Sequence, residues 1–304
     1  VNVQIVEVGP RDGLQNESVI VPAEAKIELI KKLIDAGLVR IEASSFVNPR
    51  WIPQLADAEE VLQGILPASK KDVRISALVP NVRGLERARQ CGVSEVALFM
   101  SASESHNRKN INKSITETFP VLAEAAKEAL ALGMRVRGYV STVFGCPYEG
   151  AVPVDNTRRV THALVEMGVS EVSLGDTIGV ATPKQVHEVF QELVKDVTTE
   201  RLAGHFHDTR GTGLANVAAA LAEGIRIFDS SIGGLGGCPY APGAAGNIST
   251  EDLVYMLHGM GYETGVDLNR LTEAGAYIQE QLGRELTSKV LKANLAKQKQ
   301  EEHT

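Results

Sequence analysis

Two histidines one residue apart close the run His205-Phe206-His207-Asp208, at the end of an apolar stretch that begins at Leu202. On a strand, side chains at i and i+2 leave the same face about 7 Å apart. Both imidazoles can therefore turn toward one divalent cation where the strand stops. The residues that follow, Thr209-Arg210-Gly211-Thr212-Gly213, form a polar, glycine-broken turn ahead of a new apolar helix. A lone His-x-His is equally compatible with two ordinary polar residues, so partners elsewhere in the chain must decide. Asp12 follows the first short β-rich run, and Asn247 stands beyond the last. Together these four offer two nitrogens and two oxygens. That mixture suits an octahedral Mg2+ or Mn2+ completed by water or substrate, with zinc as the alternative because imidazole suits it too.

Other strand ends carry further candidates. Arg11 and Glu42 read either as an ion pair under the mouth or as a site where Arg11 meets a developing oxyanion. Asp176 reads equally as a hydrogen-bonding group or as a catalytic carboxyl. The stretch Gly233-Gly234-Leu235-Gly236-Gly237-Cys238-Pro239-Tyr240 has two rival readings. A phosphate cradle would want a following Lys-Ser/Thr or a helix start, and neither is evident. A mobile lid would use the glycines as hinges and carry Cys238 over the ion. Cys146-Pro147-Tyr148 looks similar but lacks the glycines, and Cys91 reads as packing.

The elements that must position these residues show in the punctuation. Gly37, Gly92, Gly133, Gly168 and Gly224 each end a helical pattern, as residues able to adopt the left-handed conformation do. A short β-rich run follows each one. Strands are expected over Val3–Val8, Arg40–Ala43, Val73–Leu78, Glu95–Phe99, Val136–Val140, Glu171–Leu174, Leu202–Phe206 and Ile227–Asp229. Between them lie amphipathic helices, for example one with Ile27, Ile30, Leu33 and Ile34 on one face and Lys26, Lys31, Lys32 and Asp35 opposite. Eight such units predict the α/β class and a (β/α)8 TIM barrel with an additional C-terminal helical segment. An open doubly wound sheet would show a phosphate-binding glycine fingerprint after its first strand, and Gly9-Pro10-Arg11-Asp12-Gly13 is not one. A single domain is expected over 1–291, with appended helices from Asn269 and a solvated tail over 292–304. In a closed barrel the eighth strand meets the first, which gathers Asp12, His205, His207 and Asn247 on one arc.

Composition narrows the functional classes. The 304 residues are 43% hydrophobic and 23% charged, as in an ordinary globular enzyme, with 31 basic against 38 acidic side chains. A net charge of −7 without a basic run argues against nucleic acid or an anionic membrane surface as partner. No apolar run is long enough to span a bilayer. Three cysteines make no disulfide framework. The chain enters its first strand without a signal peptide, so a cytoplasmic setting is expected, and a mature organellar form fits the same start.

The motifs also match a known family. Val8-Gly9-Pro10-Arg11-Asp12-Gly13-Leu14-Gln15-Asn16-Glu17 resembles the opening of 3-hydroxy-3-methylglutaryl-CoA lyases. The resemblance continues through Ser45-Phe46-Val47-Asn48-Pro49-Arg50-Trp51-Ile52-Pro53-Gln54, Ser101-Ala102-Ser103-Glu104-Ser105, Phe144-Gly145-Cys146-Pro147-Tyr148-Glu149-Gly150, the His-x-His-Asp run and the cysteine loop. It covers the chain to about Leu291. A wider superfamily of metal-dependent lyases and synthases shares the Arg-Asp pair and His-x-His, so the cysteine loop is the specific part. Gly233 and Ala245 stand where Ala and Ser are expected, and His106-Asn107-Arg108 also departs from the family pattern.

The resemblance implies metal-dependent cleavage of 3-hydroxy-3-methylglutaryl-CoA to acetyl-CoA and acetoacetate. Asp12 or His205 would take the hydroxyl proton, Arg11 would meet the enolate oxygen, and Cys238 would protonate the carbanion. Gln15, Ser45 and Ser173 are expected at the substrate, and Lys109, Asn110, Asn112 and Ser114 at CoA. A homodimer is implied by the resemblance alone. The competing enzyme is a synthase condensing acetyl-CoA with a 2-oxo acid, and the competing non-enzyme a binding protein that keeps the metal site without turnover. Incubation with Mg2+ and the lyase substrate separates the three.

Overall fold

The alternating pattern closes on itself. In the computed structural model, which describes residues 2–66, 72–238 and 241–301 (backbone alone for Cys238 and for 241–245), eight strands pair in parallel and in chain order. They are β1 (Gln4–Glu7), β2 (Arg40–Ser45), β3 (Arg74–Leu78), β4 (Glu95–Ser101), β5 (Arg135–Ser141), β6 (Glu171–Gly175), β7 (Leu202–His205) and β8 (Ile227–Ser230). The pairing of Gln4–Glu7 with Ile227–Ser230 completes the TIM barrel. Around it run α1 (Ala23–Asp35), α2 (Ala58–Ile65), α3 (Val82–Gln90), α4 (Glu104–Ile111), α5 (Ile115–Ala131), α6 (Val154–Glu166), α7 (Pro183–Leu193) and α8 (Gly213–Ala222). A short antiparallel ribbon, β9 (Gly237–Cys238) with β10 (Ala241–Ala245), precedes α9 (Thr250–Gly259), α10 (Leu268–Leu282) and α11 (Lys289–Glu301).

The five glycines expected to end helices all sit at positive φ. At Gly37 (φ +98°) the requirement is doubled, since a Cβ there would lie 2.2 Å from the Gly265 carbonyl oxygen. The buried face of α1 centres on Leu29, Ile30 and Leu33 and includes Lys26. Lys26 was expected on the outer face. It is buried because the Asp57 carboxylate receives its ammonium at 2.8 Å.

The main apolar core lies between sheet and helices, where Leu29, Val61, Leu98, Phe190, Phe206 and Leu253 are fully buried. Inside the barrel the apolar groups are small, one of Val6, Val8, Ala203 and Ile227 and another of Leu78, Ala97 and Tyr139. Charged residues of β2, β5, β6 and β8 fill the space between.

The expected additional C-terminal helical segment is present as α10 and α11, but its inner boundary lies elsewhere. The boundary at 291/292 falls inside α11, which runs as one helix to Glu301. Its start is fixed by Asp252, whose carboxylate accepts from Val290 N (2.7 Å), Ser288 Oγ (3.0 Å) and Lys289 N (3.2 Å). Leu291 is buried, Asn294 Nδ2 donates to Thr272 Oγ1 at 2.9 Å and Leu295 packs half-buried against the core, and beyond it the helix is solvated.

Two buried carboxyls tie the barrel rim together. Glu7 accepts from Gly9 N and Ile232 N at 2.8 Å each and from Thr250 Oγ1 at 2.6 Å. Glu251 accepts from Gly233 N at 2.8 Å. Burial raises Glu7 to about 7 and Glu251 to about 8, against an ordinary 4.5, and outweighs the hydrogen bonds that favour ionisation. The folded protein thus binds more protons than the unfolded chain between those values, so stability falls as pH rises through this window. Glu251→Gln, which cannot ionise, should flatten the decline. Thermal unfolding of both proteins between pH 5 and 8.5 checks this, and equal slopes would refute it.

Candidate metal and catalytic site at the barrel mouth

Beyond β1 the chain tightens into a π-helical turn, Gly9–Gly13, in which the Val8 carbonyl accepts from Arg11, Asp12 and Gly13. This turn presents Arg11 and Asp12 to the mouth. Asp12 Oδ1 accepts from Arg11 Nη1 (2.7 Å) and Gln15 Nε2 (3.0 Å), and Oδ2 from Asn247 Nδ2 (2.8 Å). Burial works to raise its pKa, but the Arg11, His205 and His207 charges and the Asn247 bond hold it down at about 2. Arg11 is buried, with Nε on Glu42 and its guanidinium 5.5 Å from the Tyr139 ring centre. Burial opposes its charge, and Glu42 and Asp12 more than restore it.

The histidines stand where expected. His205 Nε2 lies 3.4 Å from His207 Nε2 and 3.9 Å from Asp12 Oδ2. One ligand atom from each of Asp12, His205 and His207 falls within 4.8 Å of the others. Asn247 joins them through a backbone bridge to His207 and through its amide on Asp12. His207 is pushed down to about 4 by burial and by its neighbour His205, so it stays neutral with a lone pair to give. His205 is raised: burial opposes its charge, but the hydrogen bond and charge of Asp229 and the charge of Asp12 prevail. Two imidazole nitrogens and an ionised carboxylate converging this closely fit a single divalent cation.

These residues open onto a cleft of about 1,090 Å³ that is also lined by Gln15, Tyr139 and Gly237 near its floor. Farther out it passes Asn110, Lys113, Arg50, Arg83 and Trp51.

Several expected site residues take other places. Asp176, buried at the end of β6, accepts from Val180 N (2.9 Å) and Ala181 N (3.1 Å) and so closes the turn into α7. Burial raises it to about 6. Ser173 lies inside the barrel rather than in the cleft, its Oγ donating to Asp229 at 2.7 Å. Ser45 is buried at the end of β2, its Oγ accepting from Val47 N at 3.3 Å. Asn112, at φ +59°, ends α4, and Ser114 starts α5 in a capping box with Glu117. Lys109 packs its ammonium 4.3 Å from the Tyr148 ring centre. Only Asn110 of this group lines the cleft.

The glycine-rich loop also departs from its expected role. Gly233 (φ +63°) and Gly234 (φ +71°) are buried, and a Cβ would lie 2.2 Å from Leu286 Cδ1 in the first and 2.3 Å from Thr287 Oγ1 in the second. These two permit close packing and are not free hinges. The ribbon starts later, at Gly237, which lines the cleft. Cys238 is the backbone partner of Ala241 in that ribbon. Its side chain, with Pro239 and Tyr240, lies outside the described residues.

Sequence reasoning missed Tyr139, Arg137 and Asp229. Tyr139 Oη donates to Glu42 Oε2 at 2.9 Å, and Asp229 lies 3.1 Å from His205 Nδ1. The available signal was polar residues at period two in buried strands, as in Arg137-x-Tyr139 and Glu171-x-Ser173.

Comparison with known proteins follows from this geometry. The family described as HMGL-like matches residues 2–278. A hydroxymethylglutaryl-CoA lyase of Bacillus subtilis (strain 168) is 53% identical over 289 residues, covering 95% of this chain and 96% of that protein. The mitochondrial hydroxymethylglutaryl-CoA lyase of Bos taurus is 52% identical, covering 96% and 89%. A solved HMG-CoA lyase from Acinetobacter baumannii, in complex with coenzyme A and 3-methylmalate, superposes with a TM-score of 0.91 at 41% identity, covering 96% and 95%.

If Asp12, His205 and His207 share one ion, a His205→Ala/His207→Ala double variant should lose Mn2+ binding by isothermal titration while its circular dichroism stays that of the parent. Undiminished binding would remove the histidines from the ligand set.

Proposed function

The chain belongs to the HMGL-like family, and from that membership and the geometry of the mouth we propose that it cleaves 3-hydroxy-3-methylglutaryl-CoA to acetyl-CoA and acetoacetate. The observation that carries this reading is the convergence of Asp12, His205 and His207 beside Arg11 on the floor of one cleft bordered by the glycine-cysteine loop. A divalent cation held by these three and Asn247 would supply Lewis acidity to the substrate oxygens. The mixed nitrogen and oxygen donors favour Mg2+ or Mn2+.

The reaction moves one proton off the tertiary hydroxyl, breaks the bond between C2 and C3, turns C3 into a ketone and leaves the electron pair on C2 as a thioester enolate. With Nδ1 hydrogen-bonded to Asp229 and Nε2 assigned to the cation, His205 has no lone pair left for a proton, so the hydroxyl proton passes to the Asp12 carboxylate, the other basic group of the site. Arg11, kept charged and fixed by Glu42 and Asp12, meets the enolate oxygen. Cys238 returns a proton to C2. Gln15 orients the substrate, and Asn110 with the cations Lys113, Arg50 and Arg83 suits the polar, anionic CoA arm. A homodimer belongs to the same reading, carried by family resemblance.

The direct test is acetoacetate release from 3-hydroxy-3-methylglutaryl-CoA with Mg2+, which chelation should abolish and added Mg2+ or Mn2+ restore. No release would refute the function. Arg11→Met should lower kcat a hundredfold or more, as loss of an oxyanion donor does, with little change in KM. A rise in KM alone would make Arg11 a CoA contact. Cys238→Ala should keep its metal and lose most turnover, and alkylation of wild type should inactivate it unless substrate is bound. Near-normal turnover in Cys238→Ala would remove the thiol as the acid.

A further inference from the structure

The Asp229 carboxylate, 1% exposed on β8, accepts from three side chains of β5, β6 and β7. Arg137 reaches it through Nη2 at 2.6 Å and Nη1 at 3.3 Å, Ser173 Oγ at 2.7 Å and His205 Nδ1 at 3.1 Å. An ionised carboxylate only accepts, so the His205 nitrogen that faces it must carry the hydrogen. The lone pair of the neutral ring then belongs to Nε2, the atom facing His207 and Asp12. His207 is built differently, its buried Nδ1 having no hydrogen-bond partner among the described residues. One imidazole is anchored from behind and the other is not.

A barrel interior is ordinarily filled by aliphatic layers, and ions there carry a heavy desolvation penalty. The position of this carboxylate gives the charges a purpose. We infer that Asp229 is a positioning residue that fixes the tautomer and ring plane of His205 so that Nε2 offers its lone pair to the shared centre with Asp12 and His207, and that Arg137 and Ser173 hold Asp229 for that task. The inference rests on the metal reading above.

The first test needs no variant at position 229. In metal-free wild type with 15N-labelled histidine, at a pH where the ring is neutral, NMR should show His205 protonated on Nδ1, with the signal assigned by its loss in His205→Gln. A ring protonated on Nε2 overturns the proposal. The second test follows Mn2+ binding by the electron paramagnetic resonance of the free ion. An amide at 229 can donate to the ring and release the tautomer, so Asp229→Asn should bind Mn2+ about 10- to 100-fold more weakly. Its kcat should fall while KM for the acyl-CoA holds. Ser173→Ala should show a smaller loss of Mn2+ affinity in the same direction, whereas a raised KM with unchanged Mn2+ binding would return Ser173 to the substrate and overturn its part. Equal Mn2+ affinity in wild type and a folded Asp229→Asn overturns the proposal. If that variant does not fold, Asp229→Asn/Arg137→Gln, which removes both buried charges together, is judged by the same criterion. Wild type that binds no Mn2+ overturns the metal reading itself, a result distinct from equal binding.

Discussion

Arg137 answers two carboxylates at once in the middle of the barrel, and most of the site depends on that guanidinium. Its Nε donates to Glu171 at 2.6 Å, while Nη1 and Nη2 grip Asp229. Glu171 is held from its other side by Arg40, at 3.0 Å through each terminal nitrogen, and Arg40 reaches Gln4 at 3.1 Å. A continuous line of hydrogen-bonded polar groups thus crosses from β1 and β2 to His205. Taking such ions out of water costs several kcal/mol each, and bidentate pairing offsets that, with Arg40 Nε alone of these guanidinium nitrogens left without a partner among the described residues. Removing Arg137 alone would take the guanidinium from Asp229 and leave Glu171 with Arg40 only. Stability comes mainly from the apolar shell between sheet and helices, which leaves the interior available for charge.

Charge at the mouth follows from the same economy of partners. Tyr139 lies between two guanidinium groups, 5.5 Å from Arg11 and 4.8 Å from Arg137, and its hydroxyl fixes Glu42. Glu42 in turn fixes Arg11, and Arg11 keeps Asp12 ionised. Tyr139, Glu42, Arg11 and Asp12 are therefore oriented before any substrate arrives, which is the condition for electrostatic stabilisation without reorganisation during the reaction.

Much of this was legible from sequence for physical reasons. Five of the eight strands announced themselves because the helix before each ends in a glycine at positive φ. His205 and His207 stood out because period two at a strand terminus aims both rings one way, and barrel closure alone brought Asp12 and Asn247 to them. Asp229 was hidden, since a buried polar residue on a strand declares its partner only in three dimensions. Ser114 was readable as a helix start from Glu117 three residues on. Gly233 and Gly234 were read as hinges because glycine serves both freedom and close packing, and only the positions of Leu286 and Thr287 distinguish the two. The C-terminal stretch was legible as helical from Asn269, but the boundary at 291/292 was misplaced because the anchor of the last helix, Asp252, lies on another helix.

That anchor has a bearing on how the protein is made. Thr287 N and Ser288 N donate to the Gly233 carbonyl at 3.1 and 3.2 Å, and Leu286 packs on Gly233 itself. The root of the loop that borders the cleft is thus braced by the segment leading into the last helix. A chain emerging from the ribosome presents Arg11 and Asp12 long before this brace. The barrel can pair its strands before the segment around Leu286 is made, but the mouth acquires its finished shape only once that segment has docked. Changes around Leu286, Thr287 and Ser288 therefore act on the loop near the site, although in sequence they lie far from the residues that open it.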